Sequence, residues 1–320
     1  FFAQHRQALV APEDQKFAHP SGLAGEKAGP RVWLKMLRVH QWAKNTLIAV
    51  PAVLSNTLMY ADVPGRVVLA FVSFSLLASC IYIINDLIDL PSDRLHKTKC
   101  KRPIASGQIA IPHAIMVAAV LFAASVCVSL FLPLAFRAVL AVYAVLTTAY
   151  TFWFKRMLLI DVLSLAGLYT IRVIAGAAAT LIDASFWLLA FSLFFFLSLA
   201  LVKRFVELSA TPDTGLEKVK GRGYRSGDKQ VLGEAGMAST FAAVMVLALY
   251  IDSDEVKLIY GSPYVLWLLC PIVLYLSLRI WVLARRDEMH EDPVVFLLTD
   301  WRSQIMVVIG AALVIAAAAF

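Results

Sequence analysis

Apolar runs long enough to cross a bilayer recur along most of the chain, separated by short polar stretches. A helix rises about 1.5 Å per residue, so roughly twenty apolar residues match the hydrocarbon thickness. The pattern predicts spans over 45–60, 66–88, 111–132, 134–154, 158–181, 185–206, 237–251, 264–283 and 303–320. Only Leu132-Pro133 divides the third from the fourth, and the seventh is short. The fold class expected is therefore all-α, a polytopic membrane protein with nine transmembrane helices. Residues 1–29 are mixed and polar and lack the apolar core of a signal peptide. They read as a polar tail or linker ahead of a helical domain over 30–320. The chain opens on Phe1, not Met, so further residues are expected upstream. Residues 30–44 set Trp33, Leu34, Leu37 and Trp42 among Arg31, Lys35, Arg38 and Lys44, the pattern of an interfacial amphipathic segment.

Composition agrees with this pattern. Hydrophobic residues make up 60%, charged residues 16%, and the mean hydropathy is +0.76. A soluble domain does not reach those values. The net charge of +7 would suggest a nucleic-acid partner in a soluble chain. Here the basic residues instead mark loops, and no nucleic acid is expected. Lys and Arg number four in 31–44, five in 94–102, two at 155–156, seven in 203–229 and four in 279–302. The alternate connections hold Arg66, Arg137 and Lys257. By the positive-inside rule the amino terminus is expected on the cytoplasmic side and the carboxyl terminus outside. Trp153, Trp187, Trp267, Trp281 and Trp301 fall near span ends, as an aromatic belt requires. Cys80, Cys127 and Cys270 sit in apolar runs and Cys100 in a basic loop, so no disulfide framework is expected. Apolar outer faces permit a homo-oligomer without requiring one.

The candidate chemistry begins where the second span ends, at Asn85-Asp86-x-x-Asp89-x-x-x-Asp93. On a helix, Asp86, Asp89 and Asp93 fall within about 60° of one another, and Asn85 lies one turn before Asp89. Three carboxylates on one face repel each other unless a cation compensates them. Asn85, Asp86, Asp89 and Asp93 are therefore the candidate ligands of a hard divalent cation. Pro91 is expected to end the regular helix near Leu90, leaving Asp93 in the following loop. Arg94, Lys97, Lys99, Lys101 and Arg102 follow at once. Carboxylates for a metal beside cations for phosphate oxygens suggest a metal-bound phosphate or diphosphate.

Asn-Asp-x-x-Asp-x-x-x-Asp, followed by Lys99-x-x-Arg102-Pro103, resembles the first aspartate-rich motif of the UbiA-type intramembrane prenyltransferases. Nine spans with that motif after the second also match, and the likeness covers the chain from about residue 30 onward. It implies a helical bundle around a central cavity that opens to the cytoplasm. It also implies Mg²⁺ held at the mouth, with Asp86, Asp89 and Asp93 as the catalytic carboxylates, and transfer of a group from a diphosphate.

Most members of that superfamily carry a second Asp-x-x-x-Asp motif after the sixth helix. Here the corresponding loop holds Asp213 and Asp228 without that spacing, and Lys218, Lys220, Arg222, Arg225 and Lys229 flank Gly221, Gly223 and Gly227. Cations among glycines that let backbone N–H groups approach an anion suggest an additional phosphate. Lys203-Arg204-x-x-Glu207-Leu208, Arg38-x-His40-Gln41-Trp42-x-Lys44-Asn45 and His290-Glu291-Asp292-Pro293 together resemble the decaprenyl-phosphate phosphoribosyltransferase branch. The resemblance implies a soluble donor, 5-phosphoribosyl 1-diphosphate (PRPP), and a polyprenyl phosphate acceptor in a bacterial inner membrane. A phosphate acceptor is anionic at neutral pH, so no general base is required. The chain shows no catalytic His or Ser constellation, and His40, His96 and His113 lack metal-ligand spacing.

The remaining candidates follow from position. Lys99, Arg102, Tyr150, Lys155, Lys203, Arg204, Glu207, Arg222 and Arg225 are expected around the donor's diphosphate and 5-phosphate. Gln41, Lys44, Asn45 and Arg172 are expected at the acceptor phosphate, although Lys44 reads equally as a snorkelling lysine. Arg172 reads as a phosphate ligand or a brace for the acidic motif, because a charge within a span marks function. Asp161 reads equally as a helix-start residue and as a site residue. Two other functions stay open: prenyl transfer to an aromatic acceptor, and transport of an anionic solute. The missing second aspartate pair weighs against the first. The second leaves the acidic cluster without a role, and no inverted repeat supports it.

Overall fold

In the computed structural model, residues 29–96, 98–209, 223–289 and 292–319 are described, and their regular elements are all helices. α1 (Pro30–Leu37) carries its proline in the first turn and ends at Arg38, whose φ of 52° turns the chain sharply. A 3-10 helix (Val39–Ala49) and α2 (Val50–Leu54) follow. The first expected span, 45–60, is therefore not a regular spanning helix. Pro51 has no N–H and cannot carry an α-helical ladder across this segment.

Eight helices among the described residues are long and apolar enough to cross a membrane. The first is α3 (Val63–Ile88), after which the short α4 (Leu90–Leu95) restarts the helix. α5 (Ile111–Ser129) and α6 (Leu134–Phe152) flank the Leu130-to-Pro133 turn, and α7 (Ile160–Thr180) and α8 (Phe186–Ser209) form the next pair. α9 (Lys229–Ile251) begins eight residues before the expected 237, because Lys229, Gln230 and Glu234 disguise its polar first turns. After α10 (Asp254–Ile259) and a 3-10 turn (Pro263–Leu268) comes α11 (Leu269–Arg285). α12 (Pro293–Thr299) and α13 (Trp301–Ala319) close the described chain.

α3 and α7 are the most buried spans, whereas α5, α6 and α13 expose most of their apolar surface. Buried helices hold the polar chemistry here. One apolar core joins Val162, Tyr169 and Val173 of α7 to α8, α9 and α11; another joins Leu168, Ile171 and Ala175 to α3 and α6. α7 thus stands at the seam. Small residues let its neighbours approach closely, and a Cβ on Gly176 would lie 2.0 Å from the Ile48 carbonyl oxygen. That contact sets the 39–49 segment directly against α7.

Trp281 departs from the expected aromatic belt. It is 2% exposed, packs over Gly236, and donates from Nε1 to Ser198 Oγ at 3.0 Å. Trp153, Trp267 and Trp301 are exposed, as a belt position requires.

Candidate functional site

The last turns of α3, α6 and α8 meet the middle turns of α7, the 38–44 segment and the loop at Arg102 around one cavity. Its volume is 360 Å³, and it is lined by Arg38, Lys44, Arg102, Lys155, Arg172, Lys203 and Arg204 against two carboxylates, Asp86 and Asp89. Asn85, Tyr82, Tyr143, Thr147, Tyr150, Thr151 and Tyr169 complete its polar lining. A second opening of 460 Å³ shares Arg38, Lys44, Tyr82, Lys203 and Arg204, and adds Gln41, Glu207 and Asp292.

The acidic motif sits where α3 breaks. Asp89 N–H still bonds the Asn85 carbonyl at 2.9 Å, and then Asp89 leaves helical geometry (φ −81°, ψ 0°). Pro91 falls in the first turn of α4, where a missing N–H costs nothing. The break therefore lies two residues before the proline, and Asp93 is helical and buried, not in a loop. Arg102 ties the two segments together: its Nη1 donates to Asp86 Oδ1 at 3.0 Å and to Asp93 Oδ2 at 2.6 Å. Arg38 Nη2 donates to the same Asp86 oxygen at 2.5 Å. Asp86 and Asp89 face the cavity, while Asp93 holds Arg102 from behind and is not in the lining. Among the described residues no three His, Cys, Asp or Glu side chains are gathered tightly enough to cage a metal by themselves.

A second cluster centres on Asp292. Lys44 Nζ donates to its carboxylate at 2.8 Å, Lys203 Nζ at 3.0 Å and the Tyr169 hydroxyl at 3.2 Å. Val294 N–H completes the set at 3.2 Å, because Asp292 also caps α12. Burial raises the Asp292 carboxyl, but Lys203 and Lys44 reverse this and hold it well below the usual carboxylate range. Burial pushes the Lys44 ammonium down to about 8; Asp292 offsets part of that, and Lys203 and Arg172 add to it. Arg172 reaches Asn45 Oδ1 at 2.9 Å and the Tyr143 hydroxyl at 3.2 Å, and also bonds the Leu168 carbonyl. Its hydrogen bonds among the described residues go to neutral groups. A buried guanidinium without a carboxylate suits an anionic ligand.

A third cluster is structural in character. Arg204, 1% exposed, grips the fully buried Asp161 with Nε and Nη2, the latter at 3.0 Å, and also pairs with Glu207. Tyr150 donates to Asp161 at 2.9 Å and accepts from Arg204 at 3.0 Å. Asp161 thus stands in the first turn of α7 as the anchor of α8.

The expected residues divide accordingly. Asn85, Asp86, Asp89, Arg102, Tyr150, Lys155, Lys44, Arg172, Lys203 and Arg204 share the main cavity, while Gln41 and Glu207 line its second opening. Asn45 lies behind the wall, bonded to Ser75 Oγ at 3.0 Å and to Arg172. Lys99 and Arg225 are exposed and outside the lining. Arg222 lies outside the described residues, with the rest of 210–222. Gly223 packs against backbone: a Cβ there would meet Leu158 N at 2.7 Å. That close approach accounts for this glycine. Tyr82, Tyr143 and Tyr169 line the cavity without a role expected from the sequence, and Arg38 and Asp292 entered as parts of the resembling motifs. The Asp292-Pro293 pair did carry a helix-start signal.

Comparison with known proteins gives this geometry its relatives. The model of the UbiA prenyltransferase family matches residues 48–301. The uncharacterized Sinorhizobium fredii protein y4nM is 38% identical over 281 residues, which are 87% of this chain and 54% of that protein. The chain thus spans about half the length of that relative. Nodulation protein NoeC of Azorhizobium caulinodans is 32% identical, covering 86% of this chain and 89% of NoeC. Decaprenyl-phosphate phosphoribosyltransferase of Mycolicibacterium smegmatis is 38% identical over 206 residues, 62% of this chain and 65% of that enzyme. A solved UbiA homolog from Archaeoglobus fulgidus, bound to GPP and Mg²⁺, superposes with a TM-score of 0.66 at 15% identity, covering 90% of this chain and all of the homolog. The match runs across most of the spans that build the cavity, and the aspartate motif lies at its mouth: this integral membrane protein belongs to the UbiA prenyltransferase family.

Proposed function

We propose that the chain transfers the 5-phosphoribosyl group of PRPP to a membrane polyprenyl phosphate and releases diphosphate. One observation carries this reading: seven cations and two carboxylates line the cavity. Even without Arg204, which is held by Asp161 and Glu207, the cations outnumber the carboxylates, and five of them fall into two groups. Arg38 and Arg102 attend the acidic motif, while Lys44, Lys203 and Arg172 lie toward the Asp292 side. Prenyl transfer to a neutral aromatic acceptor brings one anionic group, the diphosphate, whereas phosphoribosyl transfer to a lipid phosphate brings three: the diphosphate, the 5-phosphate and the lipid phosphate. The relative named decaprenyl-phosphate phosphoribosyltransferase supports the same choice.

Asn85, Asp86 and Asp89 offer hard oxygen donors facing the cavity. Mg²⁺ commonly binds one or two carboxylates together with substrate phosphates, so these residues fit it without a closed cage. When bound, the ion neutralises the diphosphate and makes it a better leaving group. The chain's own residues do the rest. Asp93 holds Arg102 against the motif, and Arg102 and Lys155 meet the remaining diphosphate charge. Lys44, Lys203 and Arg172 orient the lipid phosphate so that one oxygen faces the anomeric carbon. The bond from that carbon to diphosphate breaks as the bond to the lipid oxygen forms, with inversion. The attacking oxygen is already anionic, so positioning and electrostatics carry the step. Lys99 and Arg225, exposed on the same end of the chain, attract the donor by charge. Basic residues concentrate on the loops at this end, which supports a site facing the cytoplasm of a bacterial inner membrane, where PRPP is soluble.

The test is direct. Purified protein incubated with Mg²⁺, labelled PRPP and a polyprenyl phosphate is expected to yield lipid-soluble ribose. Absence of that product, with consumption of a prenyl diphosphate in the presence of an aromatic acceptor, overturns the reading.

A further inference from the structure

Tyr82 lies on α3 one turn before Asp86 and lines both openings of the cavity. Three other tyrosines line the main chamber, and each hydroxyl is engaged. Tyr143 accepts from Arg172 at 3.2 Å, Tyr150 donates to Asp161 at 2.9 Å, and Tyr169 donates to Asp292 at 3.2 Å. The Tyr82 hydroxyl makes no hydrogen bond among the described residues. It is also not among the unbonded polar atoms sealed away from solvent, so it opens to the cavity. Its ring is fixed from above by the Arg38 guanidinium, 4.9 Å from the centroid. A phenol stacked on Arg38, with its hydroxyl free of protein partners among the described residues and open to the cavity, is placed to donate to a ligand group there.

The ligand group follows from the neighbours. Lys44 and Lys203 share both openings with Tyr82, so the phenol stands where the two chambers meet, among cations. A phenol adds a directed donor without adding charge. Lysines attract a phosphate without fixing its rotation, because an ammonium is a point charge with rotatable donors. We infer that Tyr82 is an acceptor-binding residue whose hydroxyl donates to a non-reacting oxygen of the lipid phosphate, and so determines which oxygen attacks. This rests on the reading above that the lipid acceptor is a phosphate. Tyr82 was not among the residues expected from the sequence, since it falls inside the apolar run Ile81-Tyr82-Ile83-Ile84.

The experiment is Tyr82→Phe, which keeps the ring and its stacking on Arg38. Thermal unfolding without ligand is expected to match the parent protein. Affinity for farnesyl phosphate, used as a short soluble probe, should fall about tenfold or more, the loss expected for one hydrogen bond to a charged group. In turnover the KM for the lipid phosphate should rise by a similar factor, with the KM for PRPP unchanged. Farnesyl phosphate affinity within about twofold of the parent overturns the inference. So does a rise confined to the KM for PRPP, which would place Tyr82 on the donor, or an equal rise in both KM values, which would show no preference for the acceptor. If the parent protein transfers no phosphoribose, the proposed function fails, yet the farnesyl phosphate comparison still decides the role of Tyr82.

Discussion

The Lys44 ammonium lies 2.8 Å from the Asp292 carboxylate, joining a segment near the start of the described chain to the loop ahead of α12. With Lys203 on the same carboxylate, three separate parts of the sequence meet at one charge. Asp292 keeps two mutually repelling ammonium groups side by side.

This pair sets a pH dependence. Burial lowers Lys44 to about 8, whereas Asp292 is held well below the carboxylate range and stays ionised throughout. Affinity for an anionic acceptor should therefore be full below that value and fall as the pH rises through it. The stability sign is opposite. A lysine lowered in the folded state costs stability while charged, so the fold gains as pH rises from about 8 toward the ordinary 10.5. Lys44→Arg should remove the alkaline fall in acceptor affinity, because a guanidinium does not titrate there. The measurement is KM for the polyprenyl phosphate against pH in both proteins.

The acidic mouth gives a second prediction. Asp86→Ala or Asp89→Ala should lower kcat by roughly a hundredfold or more while leaving extractable, folded protein. Chelation of divalent cations should abolish turnover of the parent, and added Mg²⁺ should restore it. Activity near the parent value in either variant would remove these carboxylates from the metal role.

Asp161→Asn addresses the anchor between α7 and α8. Breaking a buried ion pair costs about 3–5 kcal/mol, and here it leaves the buried Arg204 with the partly exposed Glu207 in place of its buried partner. Replacing both partners, as in Asp161→Leu with Arg204→Met, should recover much of that loss. Thermal unfolding in detergent reads both effects, and equal stability of the single and double variants would exclude the pair as an anchor.

Gly176→Ala tests how the 39–49 segment is held. The added methyl meets the Ile48 backbone carbonyl at 2.0 Å, so segment and helix must separate. A cost of about 1–3 kcal/mol is expected. Separation would also pull Asn45 from Arg172, which now meet at 2.9 Å, and raise the acceptor KM. Unchanged unfolding and unchanged KM would show that the contact relaxes freely.

Hydropathy alone was enough to recognise a helical membrane protein, because each span satisfies its backbone within itself and advertises its length as an apolar run. The aspartate motif was legible for a related reason: its spacing puts carboxylates on one face of a local helix. Boundaries failed where local chemistry competed. Pro51 broke the first span, the polar first turns of α9 hid its start, and Pro91 proved to begin a helix instead of ending one. Trp281 read as an interface residue from its place near a span end, but a groove over Gly236 buries it.

Partnership was the part that only the tertiary structure decided. The chain order does not show that Lys44 and Lys203 share Asp292, that Arg102 bridges Asp86 and Asp93, or that Arg204 is bound to Asp161. Each contact depends on which helix faces reach the cavity, and no single span encodes that. The sequence by itself determined eight of the nine expected spans, the family resemblance and the acidic mouth, since helix periodicity and composition are local. Packing determined which cations are bound to the protein's own carboxylates and which are not.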